Sequence, residues 1–250
     1  MNLYIINSLL FHPRKSYEEM GKNDILIAVE DSVRIGVRFH LISKSSTTIL
    51  FFHGNGEIGP DYDDIARVYN KININFIIAD FRGYGFSSGV PEIKNTESDA
   101  HIILDFVLNH LKEQHYFGPI ALMGRSLGSG SVLELAKRYP DDFSGLIIES
   151  GFADEGPIFN LIGTTAEHAG FRKEDGFLNE EKIKKYSGPL LVIHAKQDHI
   201  IPFSQGELLY NSSPSKEKKL LPIPNANHNN ILTLSFQKYF EEVESFINLL

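Results

Sequence analysis

The chain has 250 residues, of which 42% are apolar and 22% are charged, so we expect one α/β domain over residues 1–250 with a full core. Its formal net charge of -8 at pH 7 disfavours a phosphate-binding surface, and without a basic stripe interleaved with aromatic residues it argues against a nucleic-acid partner. The sequence contains no cysteine, which excludes disulfides, thiolate metal sites and a cysteine nucleophile.

The first apolar stretch, residues 3–11, is interrupted by Asn7 and Ser8 and has neither a basic leader nor a small-residue cleavage site. It therefore does not resemble a secretory signal. No apolar run elsewhere approaches the roughly 18 residues needed to cross a bilayer. We expect a soluble, cytoplasmic protein without an integral membrane segment, and the sequence offers no support for peripheral membrane contact.

Residues 24–29 and 33–42 alternate between polar and apolar side chains and predict an antiparallel hairpin. The later apolar segments are short and continuous, which is typical of parallel strands buried on both faces. These segments are residues 48–52, 75–79, 119–123, 145–148 and 189–194.

Helical periodicity falls between these segments, at residues 96–111, where Thr96 can cap the start, at 127–139, and in a closing helix that ends near Ile247. The alternation predicts a mostly parallel sheet with an amino-terminal antiparallel hairpin and helices on both faces. Residues 151–187 form the one long irregular stretch, and we expect them to be a cap over a site.

The GxSxG pattern occurs twice, around Ser126 and around Ser87. Ser126 directly follows a predicted strand and directly precedes a predicted helix, which is the setting of a nucleophile elbow. Ser87 is separated from its strand by residues 80–84 and is followed by Pro91, so no helix begins behind it. The sequence favours Ser126 as a nucleophile and Ser87 as a loop residue.

A serine nucleophile needs a histidine base and a carboxylate that orients the base. His228 lies in a polar loop just before the closing helix, and Asp198 follows the strand at residues 189–194, so the order Ser, acid, His is satisfied. Glu149, at the end of the preceding strand, is the reserve candidate for the acid. The other histidines considered are interpreted as surface, packing or strand residues: His101, His110, His115 and His194.

An oxyanion hole requires backbone donors, one from the residue after the nucleophile and one from the loop after the third strand. The first is Leu127. The second loop reads His53-Gly54-Asn55-Gly56-Glu57, and the N–H of Asn55 is the predicted donor.

Together these motifs, with Asp80-Phe81-Arg82-Gly83-Tyr84-Gly85 and His228-Asn229, resemble compact α/β hydrolases of the branch that includes membrane-associated protein depalmitoylases. The resemblance covers about residues 35–248. It implies the α/β-hydrolase fold, attack of the serine on an ester or thioester, an acyl-enzyme, and hydrolysis without metal or organic cofactor. It also implies that the loop at residues 80–85 is structural and borders the site.

The chain departs from that family in lacking its amino-terminal cysteine cluster, which argues against protein depalmitoylation. Ala195 and Asn227 stand where glycine is usual in the family. The leading hypothesis is a carboxylic-ester or thioester hydrolase acting on a lipid-like or small acyl substrate. An acyl pocket could be lined by Phe152, Ile158, Phe159, Leu161 and Ile162, although these residues could equally be core beneath the cap.

Two other functions stay open. Acyl transfer or peptide cleavage would use the same triad with another acceptor or leaving group, and fold and triad do not fix the substrate. A non-catalytic binding module would keep the fold without turnover.

Overall fold

The computed structural model describes residues 3–161 and 163–250, with side chains from residue 6 onwards. Its centre is an eight-stranded sheet with the order β1-β2-β4-β3-β5-β6-β7-β8. The strands are β1 (Asp24–Ala28), β2 (Arg34–His40), β3 (Thr48–Phe52), β4 (Asn75–Ala79), β5 (Ile120–Arg125), β6 (Gly145–Glu149), β7 (Leu190–Ala195) and β8 (Lys218–Ile223).

The predicted hairpin and parallel strands are confirmed. β1 and β2 pair antiparallel, β2 pairs antiparallel with β4, and the remaining neighbours are parallel. In β3, β4 and β6 every residue is buried, which accounts for their continuous apolar sequence. The sheet therefore has the α/β-hydrolase arrangement that the sequence indicated.

Helices cover both faces of the sheet. They are α1 (Leu3–Leu10), α2 (Asp63–Lys71), α3 (Ile93–Glu113), α4 (Gly128–Arg138), α5 (Gly156–Leu161), α6 (Asn179–Ile183), α7 (Phe203–Ser212) and α8 (Ile231–Ile247). Leu50 and Phe52 face a core with α1, α3 and α4, whereas Ile49 and Phe51 face a core with α2 and α8. This alternation along one strand follows from the two-residue period of a β-strand.

Three local predictions need correction. The helix predicted from Thr96 begins at Ile93, because Glu92 takes the capping position and the Thr96 hydroxyl donates to the Glu92 carbonyl at 2.8 Å inside the first turn. Further elements were not predicted individually, namely the helices α1, α2 and α7 and the strand β8. The cap, residues 151–187, is also less irregular than its sequence indicated, since it contains α5, α6 and a short 3-10 turn at Lys173–Asp175.

None of the helices within the described residues is long and apolar enough to cross a membrane.

Candidate active site

Ser126 occupies the turn between β5 and α4 with a φ of 50°, a left-handed conformation that is costly for a residue with a side chain. The flanking glycines explain how the turn is tolerated. A Cβ on Gly124 would lie 2.5 Å from the Gly128 carbonyl oxygen, and one on Gly128 would lie 2.0 Å from the Phe52 carbonyl oxygen. The backbone N–H of Ser126 donates to the Glu149 carbonyl at 2.9 Å. The elbow therefore packs closely against the sheet and holds Ser126 at the carboxyl end of β5.

His228 lies in the loop between β8 and α8, and its Nδ1 is 2.7 Å from Oδ2 of Asp198. The carboxylate of Asp198 can only accept, so Nδ1 carries a proton, and in the neutral imidazole Nε2 then keeps its lone pair. Both side chains are almost fully buried. Burial disfavours the ionised form of Asp198, but the hydrogen bond from His228 and the N–H of Ile201 outweigh it and lower the pKa of the carboxyl.

Glu149, the reserve acid, does not approach the imidazole of His228. One of its oxygens lies 3.1 Å from Nε of Arg125, and the other accepts the Tyr239 hydroxyl at 2.5 Å. Its carboxylate therefore contacts Arg125 and Tyr239, not the imidazole of His228.

The second GxSxG serine has a different environment. Ser87 lies in a loop and is fully buried, and its hydroxyl accepts the N–H of Gly36 at 2.9 Å. This hydrogen bond holds the loop against β2, and Ser87 does not line the cavity that contains Ser126.

That cavity has a volume of about 360 Å³ and lies at the carboxyl ends of β3, β5 and β7. It brings together Ser126, Leu127, Asn55 and His228, all four of which were singled out in the sequence. Among the described residues, neither the N–H of Asn55 nor that of Leu127 has an intramolecular acceptor. The cavity's apolar wall consists of Leu9, Leu10, Leu127, Phe152, Ile158, Leu161, Ile200 and Ile201.

The apolar cap residues were expected either to line an acyl pocket or to form core beneath the cap, and the structure places some of them in each. Phe152, Ile158 and Leu161 line the cavity. Phe159 is instead fully buried and packs on Phe171, with ring centroids 4.9 Å apart. Ile162 lies outside the described residues.

Sequence reasoning missed the contribution of the amino-terminal segment. The Asn55 side chain donates to the Leu10 carbonyl at 2.7 Å and accepts the His12 N–H at 2.8 Å and the Tyr84 hydroxyl at 2.6 Å. The predicted oxyanion loop is thus tied to the end of α1, which places Leu9, Leu10 and His12 in the cavity wall. The helix α1 was not predicted because Asn7 and Ser8 interrupt the apolar run in its sequence.

Arg125, Glu57 and Glu149 form a second feature that the sequence did not predict as a unit. Arg125 is 2.7 Å from Oε1 of Glu57, and its Nη2 donates to the His228 carbonyl at 2.8 Å. Arg125 and Glu57 also line the cavity. In the sequence, the only indication of this feature was the positive charge of Arg125 directly before Ser126.

Comparison with known proteins shows the family and the fold of the chain. The model of the family described as serine aminopeptidase, S33, matches residues 43–168. Alpha/beta hydrolase domain-containing protein 17C of Mus musculus is 32% identical over 222 residues, which are 86% of this chain and 64% of that protein. The chain therefore spans less than two thirds of this relative's length.

Two solved structures show the same fold. Est1E from Butyrivibrio proteoclasticus with bound ferulic acid has a TM-score of 0.70 at 19% identity, covering 88% of this chain and 98% of that one. The Pyrococcus furiosus esterase Pf2001 has a TM-score of 0.75 at 15% identity, covering 94% and 98%. The expected resemblance to compact α/β hydrolases is confirmed, and the chain belongs to the α/β-hydrolase family described by the serine aminopeptidase S33 model.

Proposed function

We propose that the protein hydrolyses a carboxylic ester or thioester with Ser126 as nucleophile, His228 as base and Asp198 as the acid that orients it. The observation that carries the proposal is the His228–Asp198 pair at 2.7 Å, in a cavity that His228 shares with Ser126 on its left-handed elbow. The free lone pair of His228 Nε2 is the acceptor that a serine hydroxyl needs.

In the first half-reaction, Oγ of Ser126 attacks the carbonyl carbon while its proton passes to Nε2 of His228. The negative charge that develops on the carbonyl oxygen is stabilised by the N–H groups of Leu127 and Asn55. The tetrahedral intermediate collapses as His228 returns the proton to the leaving alcohol or thiol. A water molecule then attacks the acyl-enzyme by the same sequence and releases the carboxylic acid.

The apolar wall favours an acyl chain of medium length as the substrate. A cavity of about 360 Å³ has room for about a dozen water-sized groups, which corresponds to an acyl chain of about eight to ten carbons beside the carbonyl. Burial of each methylene contributes about 0.8 kcal/mol, so turnover at low substrate concentration should rise with chain length until the cavity is full.

Peptide cleavage and acyl transfer are the alternatives on the same triad. The family description names an aminopeptidase, and an aminopeptidase needs a free carboxylate for the substrate's amino group. Among the described residues that line the cavity, Glu57 is the one carboxylate, and it is engaged by Arg125, Tyr62 and the N–H of Gly54. Because Glu57 is already paired, aminopeptidase activity is disfavoured. Ester or thioester hydrolysis is therefore the better supported of these reactions. A non-catalytic module would not require the strained elbow.

Labelling with a fluorophosphonate probe tests the proposal. We expect the wild-type protein and Ser87→Ala to be labelled and to hydrolyse p-nitrophenyl octanoate, and Ser126→Ala to do neither. Ser87→Ala is the matched control because it removes a hydroxyl from the other GxSxG sequence, at a cost of about 1 to 3 kcal/mol of stability because the buried N–H of Gly36 loses its acceptor. Equal labelling of Ser126→Ala and the wild type would refute the assignment. Product analysis with an added alcohol or amine separates hydrolysis from acyl transfer.

A further inference from the structure

Arg125 connects the strand that carries the nucleophile to the loop that carries the base. It is the last residue of β5, and its side chain is 12% exposed. Its Nη2 donates to the backbone carbonyl of His228 at 2.8 Å. The residue next to Ser126 therefore holds the main chain of His228 directly, while Asp198 holds the imidazole.

The same guanidinium also holds the predicted oxyanion loop, through Glu57. Nη1 of Arg125 is 2.7 Å from Oε1 of Glu57, and Oε2 of Glu57 accepts the N–H of Gly54 at 2.6 Å and the hydroxyl of Tyr62 at 2.5 Å. Burial disfavours the charged form of Glu57, but the positive charge of Arg125 and the hydrogen bonds from Tyr62 and Gly54 together outweigh it and lower the pKa of the carboxyl. Glu57 is thus an anion that fixes the turn containing Asn55.

A third bond connects Arg125 to the strand beside the elbow. Its Nε is 3.1 Å from Oε1 of Glu149, whose other oxygen accepts the Tyr239 hydroxyl. The Glu149 carbonyl in turn accepts the N–H of Ser126. Burial raises the pKa of Tyr239 well above its usual range, so the phenol stays a neutral donor to Glu149.

The geometry points to Arg125 as a positioning residue that sets the His228 loop and the Asn55 loop at their distances from Ser126. This inference rests on the proposed function, because those distances matter only if the three groups react with one substrate. A planar guanidinium suits the task, since it donates in several fixed directions at once, which a lysine ammonium on a flexible stem does not.

Binding of an anionic substrate is the obvious alternative role for an arginine at a cavity. The charge of Arg125 is already compensated by the carboxylates of Glu57 and Glu149, and its Nη2 is engaged by the His228 carbonyl. A substrate carboxylate would meet two fixed negative charges. Arg125 therefore acts on the reaction through the two loops, not by contact with the substrate.

The test compares Arg125→Lys with Arg38→Lys. Arg38 is an equally buried arginine on β2 that is paired with Asp24 and Asp63 and lies outside the cavity wall. For p-nitrophenyl octanoate we expect Arg125→Lys to lower kcat by about a hundredfold, the usual consequence of a 1 Å misplacement, with KM changed by less than about threefold. Arg38→Lys should keep kcat within about twofold. In Arg125→Ala, added guanidinium should restore part of kcat, and methylammonium should not.

A second readout requires no turnover. In the resting protein, the proton between His228 Nδ1 and Asp198 should give a downfield proton NMR signal that is absent from His228→Ala. Arg125→Lys should shift or broaden this signal, Arg38→Lys should leave it unchanged, and Glu57→Gln should lower kcat by about tenfold while leaving the signal in place. If Arg125→Ala does not fold, Arg125→Lys and Glu57→Gln provide the comparison.

A kcat for Arg125→Lys within threefold of the wild type, or a loss confined to KM, would overturn the inference. An unshifted NMR signal in Arg125→Lys would overturn it as well. Failure of the proposed function looks different, because the wild type would then show no labelling dependent on Ser126, whereas the NMR comparison would still report whether Arg125 positions His228.

Discussion

The carboxylate of Asp198 contacts the imidazole of His228 and is itself held by backbone N–H groups. Its Oδ1 accepts the N–H groups of Ile200 and Ile201 at 2.9 and 2.8 Å, and its Oδ2 lies 2.7 Å from Nδ1 of His228. The carboxylate therefore cannot rotate without losing two backbone bonds. This rigidity suits a group whose task is to hold one tautomer of a histidine.

Replacing Asp198 by Asn should nearly abolish turnover. The amide oxygen and the NH₂ group cannot both reproduce the carboxylate's contacts, and the imidazole is then free to adopt the other tautomer, which costs about ten-thousandfold in kcat in enzymes of this type. Glu149→Gln should cost no more than about tenfold, because its carboxylate contacts Arg125 and Tyr239 instead of the imidazole. Steady-state kinetics on p-nitrophenyl octanoate measure both. If Glu149→Gln proved the more damaging change, the acid would have to be reassigned.

Ile158→Trp should shorten the preferred acyl chain. Ile158 lines the cavity from the cap, and an indole there would occupy space otherwise available to several methylenes. In the wild type, each added methylene should raise kcat/KM about fourfold up to eight to ten carbons, which corresponds to about 0.8 kcal/mol per buried methylene. In Ile158→Trp the rise should stop several carbons earlier, while kcat/KM for the acetate ester should stay within about threefold of wild type.

Leu234→Trp is the control for that series. Leu234 is 53% exposed on α8 and does not line the cavity, so an indole there should leave the chain-length profile unchanged. The same profile in Ile158→Trp and the wild type would mean that the acyl chain is bound elsewhere.

The sheet and the strand-turn-helix setting of Ser126 could be predicted because each depends on a local pattern. The buried strands are continuous apolar runs, and the elbow needs glycines where a Cβ at Gly124 or Gly128 would collide with backbone. The edge strand β8 was missed because it begins with two lysines and its short apolar part is interrupted by Pro222, so that only Leu221 and Ile223 are buried. The preceding Lys216-Glu217 makes the start of the strand resemble a solvated turn.

The features that escaped prediction are contacts between distant parts of the chain. Nothing local to Asn55 indicates that its side chain bonds the Leu10 carbonyl and the His12 N–H. Likewise, Arg125 finds its partners 68 residues before it and 24 and 103 residues after it, at Glu57, Glu149 and His228. Such bonds follow from the order of strands in the sheet, which hydrophobic periodicity does not specify.

Lys182→Met should strongly destabilise the protein. Lys182 is 3% exposed on α6 in the cap, and its ammonium pairs with Glu97 of α3 and with Glu134 of α4, the latter at 2.9 Å. Burial raises the pKa of Glu97, whereas burial of Glu134 is outweighed by the neighbouring side chains of His101 and Lys182, which lower its pKa to about 2. Removing the lysine leaves two partly buried carboxylates without their partner, and breaking a fully buried pair costs about 3 to 5 kcal/mol, which sets the upper limit of the loss.

Urea unfolding followed by circular dichroism measures that loss, with Lys184→Met as the matched control. Lys184 lies just after α6 and forms ion pairs with Glu180 and Glu181 at 2.9 and 3.4 Å, but its side chain is 40% exposed. Its removal should cost far less than that of Lys182, because solvent screens exposed ion pairs. Equal losses in the two variants would show that the pairs of Lys182 do not anchor the cap.

His194 should make the protein lose stability as the pH falls below 7. It is fully buried in β7, its Nε2 donates to the Ile201 carbonyl at 2.8 Å, and its Nδ1 has no acceptor among the described residues. A second proton would lie at Nδ1 against the backbone of α7, where a Cβ on Gly206 would be only 2.5 Å away. Burial therefore lowers the pKa of His194 in the folded protein. His40 has a pKa that burial lowers as well.

The direction of the effect follows from proton uptake. Below a pH of about 6.5 the unfolded chain binds a proton at this histidine more readily than the folded chain, so the free energy of unfolding falls with the pH by at most about 1.4 kcal/mol per pH unit. Between pH 7 and 5.5 the wild type should lose about 1 kcal/mol more than His194→Gln, in urea unfolding at each pH. His199→Gln removes an exposed histidine five residues along the chain and should give the wild-type slope. A wild-type slope in His194→Gln would instead assign the acid sensitivity to His40 and the buried carboxylates.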